Sequence, residues 1–340
     1  MKQWWRGCVI YQIYPRSFQD SSDNGIGDLN GITERLHYIS RLGVDCIWLS
    51  PIFMSPMKDM GYDVCDYTNI DPIFGTLDDF DKLVEQSHSL GLKVIIDQVL
   101  SHSSNQHPFF QESSQDKDNS KSDWYVWSDP KEDGSPPNNW LSIFGGPAWE
   151  WEPLRRQYYL HNFLASQPDF NFHNSEVQDW LLTTVQFWLD RKVDGFRLDT
   201  VNYYFHNQKL LDNPPKFSKN IHPPINLYYM QDHIHSINQP ENIEFIKRFR
   251  ALLDEYKDRT SVGEISNFKL MALYTEGKKK LHMAYSFELL GPVYTANHFR
   301  QSIEDFLNIT PKGWACWSFS NHDVIRHVSR WVKDINFSDN

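Results

Sequence analysis

Short apolar runs rich in β-branched and aromatic residues alternate along this chain with longer stretches whose apolar positions recur at helical spacing. The runs at 9–15 (VIYQIYP), 46–51 (CIWLSP), 93–100 (KVIIDQVL), 195–200 (GFRLDT), 261–265 (SVGEI), 284–290 (AYSFELL) and 315–320 (ACWSFS) predict strands. Helices are predicted near 31–42, 77–90, 175–192, 241–257, 267–275 and 295–308. Within 175–192, Val177, Leu181, Leu182, Val185, Trp188 and Leu189 form one broad stripe. Ile243, Ile246, Phe249 and Leu253 do the same in 241–257. Strand and helix in alternation predict an α/β fold with a parallel sheet. Seven strands with no reversal of order favour a (β/α)8 (TIM) barrel over an open doubly wound sheet. No GxGxxG or Walker A sequence follows any strand, which argues against a nucleotide site.

The rhythm breaks twice. Residues 101–168 are rich in Ser, Asn, Asp, Pro and Trp, with no clear helix. A structureless loop of that length does not suit a compact domain, so a small inserted subdomain is expected after strand three. The chain then divides into a first barrel part (1–100), the insertion (101–168) and a continuation through strand seven (169–340). A second excursion, 201–240, carries Pro214–Pro215 and Pro223–Pro224. Both leave from strand C-terminal ends, where barrel enzymes build their sites. The stretch after strand seven is too short for an eighth strand and helix, so an incomplete barrel with unpaired edges is expected.

KVDGFRLDTV (192–201) puts Arg197 and Asp199 inside a buried strand, on the same face by alternation. Acids also stand at other strand ends: Asp97 before His102, Glu264, and Asp323 beside His322. In a barrel these converge on one pocket. The two histidines and the carboxylates could hold a cation, but Arg197 beside Asp199 would repel it. Carboxylates with an arginine, lacking a Ser/His pair, suit glycoside hydrolysis, which needs a nucleophile or base and a proton donor. Arg197 is expected to keep Asp199 ionised by lowering its pKa. Whichever acid donates the proton is expected to have a pKa raised towards neutrality.

These strand ends resemble the signature regions of the α-amylase superfamily, glycoside hydrolase family 13, from QIYPRSF (12–18) to NHDVIRHVSRW (321–331). The α-glucosidase and oligo-1,6-glucosidase branch is most similar, through MKDMGYDVCDY (57–67), QPDFN (167–171) and GFRLDTVNYY (195–204). The resemblance implies that Asp199 forms a β-glucosyl-enzyme intermediate. It implies that Glu264 protonates the departing oxygen and then deprotonates water, and that Asp323 holds the sugar's 2- and 3-hydroxyls. His102 and His322 would bond sugar hydroxyls. Asp59 and Tyr62 would frame the innermost glucose, with Phe144 and Phe163 as further walls and Asp97 as a support behind. Valine after the nucleophile accompanies α-1,6 cleavage in this branch, so Thr200 implies α-1,4-linked substrates such as maltose. The 201–240 excursion is expected to stand over the pocket mouth and favour disaccharides. The same chemistry leaves open a transglucosylase, an oligo-1,6-glucosidase or a sucrose-acting enzyme. An inactive, truncated homologue that only binds is a further alternative.

DSSDNGIGD (20–28) is similar to the first part of an EF-hand loop, with oxygens from Asp20, Ser22, Asn24, the Ile26 carbonyl and Asp28, but Gly31 replaces the bidentate Glu. Relatives often hold calcium here with more charge, so weak structural Ca²⁺ or Mg²⁺ binding, or a loop closed by hydrogen bonds alone, is expected. No organic cofactor is expected. The net charge of −11 argues against nucleic acid or an anionic membrane as partner and leaves a small neutral oligosaccharide or glucoside. The 15% aromatic content leans the same way, because rings stack on sugar faces. Cys8, Cys46, Cys65 and Cys316 form no CxxC pair and are expected to be reduced. With no apolar stretch of membrane-spanning length and no signal-like N-terminus, a cytoplasmic location is expected.

Overall fold

The structure, a computed structural model, describes residues 3–216 and 225–332; Pro223–Pro224 of the second excursion lie outside the described residues. Its centre is a seven-stranded, all-parallel sheet. The strands are β1 (Ile10–Ile13), β2 (Cys46–Leu49), β5 (Lys93–Gln98), β9 (Gly195–Leu198), β10 (Thr260–Glu264), β11 (Met283–Ser286) and β12 (Ala315–Trp317), each paired with the next. All seven predicted strands are therefore present, in sequence order. Alternation sorts their side chains into two layers. Cys46, Trp48, Ile95, Val262, Met283 and Tyr285 cluster inside the curl, whereas Ile47, Leu49, Val94, Ile96, Phe196 and Leu198 pack outwards. Trp48 of β2 lies 6.2 Å from Tyr285 of β11, so the sheet curls into a TIM-type barrel. Gly195 is required where β9 meets β10, since a Cβ there would stand 2.2 Å from the Thr260 carbonyl oxygen.

The outer ring is α1 (Leu29–Arg41), α2 (Leu77–Ser89), α4 (Ser175–Asp190), α5 (Asn242–Asp254), α6 (Phe268–Thr275) and α7 (Ala296–Ile309), all within a few residues of their predicted positions. Their starts are capped by side chains: Asp28 on α1, a Thr76–Asp79 capping box on α2, Asn174 on α4, Asn267 on α6 and Thr295 on α7. The predicted stripe on α4 is buried except for half-buried Leu182, and its Trp188 donates to the Tyr67 carbonyl at 2.8 Å. Residues 327–331 form a last short helix, α8 (His327–Trp331).

Periodicity missed the smaller elements. β3 (Phe53–Met54) and β4 (Asp66–Ile70) form an antiparallel pair beyond β2. The stretch 101–168, with no expected helix, contains α3 (Pro108–Ser113) and an antiparallel sheet of β6 (Trp127–Ser128), β7 (Trp149–Glu152) and β8 (Gln157–Leu160). These strands are either two residues long or interrupted by polar residues such as Asp66, Asn69, Glu150 and Gln157, so they lack the continuous apolar run that marked the central ones. Arg155 ties the region together by donating to the carbonyls of Ser113, Asp116 and Ser122.

Among the described residues β1 and β12 have no outer partner strand, so the barrel has an open seam. A cavity of about 700 Å³ enters there, between Ile10 and Trp317, and reaches the undersides of Arg197 and Tyr285. Exposed Ile303 and Leu307 of α7 flank it. Its walls include none of Asp59, His102, Phe163, Asp199 or Glu264. No described helix is long and apolar enough to cross a membrane.

Candidate active site

Arg197 is almost fully buried on the inward face of β9. Its Nη1 donates to Asp97 Oδ1 from β5 and to Asp199 Oδ1 just beyond β9, both at 2.7 Å. Its Nη2 lies 2.7 Å from Glu264 Oε2 at the end of β10 and donates to the Tyr285 hydroxyl on β11 at 3.0 Å. The guanidinium is thus shared by three carboxylates from three strands, not dedicated to Asp199 as the sequence suggested. Asp97 is further held by the Trp48 indole (3.2 Å) and the Tyr62 hydroxyl (3.0 Å).

Strand β9 ends at Leu198, and Thr200 turns away with φ of +40°, a left-handed backbone unusual for a β-branched residue. Thr200 is therefore not a strand residue. The turn aims its amide N–H at Glu264 Oε2 (3.0 Å) and its hydroxyl at Asp199 Oδ2 (3.2 Å), linking the two acids. Ser101 Oγ is 3.1 Å from the same hydroxyl.

The loop after β3 brings Asp59 and Tyr62. Buried Asp63 shapes it by accepting from the amides of Lys58 and Asp59 and from the Ser55 hydroxyl. Gln167, which opens the QPDFN motif but was given no role from the sequence, donates to Asp59 Oδ2 at 2.8 Å and lies 3.1 Å from His102 Nε2. His102 is buried, with its other nitrogen on Ser101 Oγ and its ring 5.0 Å from Phe163. Phe163 also meets Tyr203, and exposed Phe144 stands edge-on to Phe163. From the loop after β12, His322 lies parallel to Tyr62, with Nε2 2.7 Å from its hydroxyl and Nδ1 2.9 Å from Gln12. Asp323 is the most open of the four acids, its side chain 56% exposed.

Charge is distributed differently from the sequence-based expectation. Burial pushes the Asp199 carboxyl well above its usual pKa, and the Glu264 and Asp97 charges add to this against Arg197. Asp97 is raised by burial despite Arg197. Glu264 goes the other way. Burial raises it, but Arg197, the Tyr285 hydroxyl and the Thr200 N–H together outweigh that and lower it. The expected order of the two acids is thus reversed in the free site, because three buried carboxylates compete for one cation and Glu264 collects more donors than Asp199. Asp59 is pushed up to about 6 by burial, with Gln167 opposing and the Asp63 and Asp323 charges adding. Burial drops His102 to about 4, so it is neutral at pH 7.

The second excursion folds back over the insertion. The Trp140 indole donates to the Leu211 carbonyl, Asn139 donates to Asp212 and exchanges bonds with Asn213, and Asn226 donates to the Ile143 carbonyl. In the 20–28 loop, Asp20 accepts from the amides of Ser22 and Gly25, and Asn24 from that of Ile26. Asp28 turns to the Ser21 amide and hydroxyl and to the Gly31 amide as the α1 cap. The oxygen donors suit a hard cation, but each of these carboxylate oxygens already accepts from the loop or helix. All four cysteines are free thiols.

Residues 12–339 match the alpha amylase catalytic domain family. The chain is 56% identical to a probable alpha-glucosidase of Rhizobium meliloti (strain 1021), covering 99% of this chain and 63% of that protein. It is 39% identical to an oligo-1,6-glucosidase of Heyndrickxia coagulans, covering 99% of this chain and 62% of that one. The crystal structure of an alpha-glucosyl transfer enzyme superposes with a TM-score of 0.95 at 57% identity, over 97% of this chain and 63% of the other. The chain thus spans a little over three fifths of the length of these relatives.

Proposed function

Because the chain belongs to the alpha-amylase family through its catalytic domain, we propose that it hydrolyses terminal non-reducing α-glucosides of short length with retention of configuration. The observation that carries this reading is Arg197, whose two terminal nitrogens hold Asp199 and Glu264 side by side. An Asp199 oxygen attacks the anomeric carbon while the glycosidic bond breaks and Glu264 passes its proton to the departing oxygen. Glu264 then takes a proton from water, which attacks the anomeric carbon and releases Asp199. Acid catalysis requires a proton on Glu264 and a bare Asp199, so the reacting species carries the opposite proton order from the one the free site favours. Asp323, Asp59, His102 and His322 are assigned to the sugar hydroxyls, with Tyr62, Phe163 and Phe144 as walls. Nuclear magnetic resonance of maltose or p-nitrophenyl α-glucoside hydrolysis tests the mechanism. α-Glucose is expected first; β-glucose first means inversion, and a folded protein that turns over no α-glucoside leaves only the binding-protein reading.

For linkage we favour α-1,4, on Thr200 and its hydroxyl bond to Asp199. Thr200→Val is expected to raise the isomaltose-to-maltose ratio of kcat/KM about tenfold; an unchanged ratio removes Thr200 as a determinant. Transfer of the glucosyl group to a sugar or alcohol is a second reading, supported by the likeness to the alpha-glucosyl transfer enzyme. Products formed at high acceptor concentration separate the two. The free thiols support a reducing compartment such as the cytoplasm. For the 20–28 loop the hydrogen bonds favour closure without an ion. Calorimetry with millimolar Ca²⁺ or Mg²⁺ is expected to show no heat, and saturable heat lost in Asp20→Ala would restore the ion site.

A further inference from the structure

The parallel register of β10 and β11 sets Glu264 directly beside Tyr285. The Tyr285 hydroxyl donates to Glu264 Oε1 at 2.6 Å and accepts from Arg197 Nη2 at 3.0 Å. The ring is buried, tilted against Trp48 at 6.2 Å and Phe287 at 5.5 Å. Phenylalanine would meet those packing needs. The hydroxyl's two bonds both go to the catalytic cluster, so packing alone does not account for it. We propose that Tyr285 is a positioning residue, whose phenol holds Glu264 Oε1 and favours the carboxylate form in which Glu264 acts as base. This rests on the reading of Glu264 as the acid and base.

The other groups facing Glu264 act from several elements. Arg197 and the Thr200 N–H hold Oε2. His322 from the loop after β12 lowers the Glu264 pKa by its charge, and Asp199 from the end of β9, Tyr203 from the turn after it and Tyr62 from the β3–β4 loop lie within reach of the Glu264 charge. Asp97 on β5 shares the Arg197 guanidinium with Glu264. Of these, Tyr285 is the only side chain bonded to Oε1 among the described residues. Burial raises the pKa of its own phenol well above the usual value, so it stays a neutral donor.

Tyr285→Phe deletes this bond and keeps the ring. Two measurements are required: the pH profile of kcat and KM, and the ¹³C carboxyl titration of Glu264, assigned by its loss in Glu264→Gln. Tyr285→Phe is expected to move the basic limb of kcat and the Glu264 midpoint upward by about 0.5–1 pH unit and to lower kcat about tenfold with KM little changed. If the wild type turns over α-glucoside but neither limb nor midpoint moves in the variant, the proposal is overturned and the function stands. If the wild type is inert but the midpoint moves, the function reading fails and the coupling stands. Should the variant not fold, 3-fluorotyrosine at position 285 keeps the bond and makes the phenol a stronger donor: a downward move of the Glu264 midpoint supports the proposal, and no move overturns it.

Discussion

Replacing Arg197 by methionine is expected to abolish turnover and to lower folding stability by about 3–5 kcal/mol. That is a large share of the roughly 5–15 kcal/mol that holds a typical domain folded. Methionine fills similar space but leaves Asp97, Asp199 and Glu264 facing one another without a cation. Their folded-state pKa values then rise, those of Asp97 and Asp199 further above the unfolded value of about 4 and that of Glu264 from below it. Groups shifted upward are at no disadvantage below the unfolded pKa and lose stability as pH rises through the folded one. The deficit should therefore be small at pH 4 and full at pH 8, as read from urea melts at both. An equal deficit at the two, or none, would mean that the guanidinium is not what makes three interior acids tolerable.

Asp199→Asn has the opposite signature. Turnover is expected to fall about 10⁴-fold, because an amide cannot supply the attacking carboxylate. The melting temperature at pH 7.5 is nevertheless expected to rise by roughly 1–2 °C. The Asp199 carboxyl is raised by burial, then by its acidic neighbours, so its ionised form is a cost to the fold at neutral pH. The asparagine carbonyl still accepts from Arg197 and removes one negative charge. Because the folded pKa is the raised one, the gain is absent below about pH 4 and grows as pH climbs. Calorimetry of the variant at pH 4 and 7.5 checks the sign. A lower melting temperature at pH 7.5 would show that Asp199 helps to build the site as well as to act in it.

Both expectations start from a pair visible in GFRLDT. Alternation alone set Arg197 and Asp199 on one face, and burial of charge on that face pointed to chemistry. The same rule separated the barrel's inner layer from its helix-facing layer. Glu264 was legible as an acid ending a strand. Tyr285 was not, although its strand was predicted. Which residue of β11 lies beside Glu264 depends on a register reached through α6, and no short-range pattern encodes it. Gln167 and Asp63 stood inside the QPDFN and MKDMGYDVCDY motifs, but their supporting roles were not legible, since a glutamine or aspartate looks like any loop residue until it is buried against the site.

The chain's own pattern determined the seven parallel strands, the six long helices around them and the two excursions from the sheet's C-terminal ends. Period and run length are local properties, and backbone geometry reads them directly. Only the tertiary structure decided how protons are shared among Asp97, Asp199 and Glu264. A pKa is set by the burial, charges and donors that surround a group, and those come from strands separated by many residues in the chain.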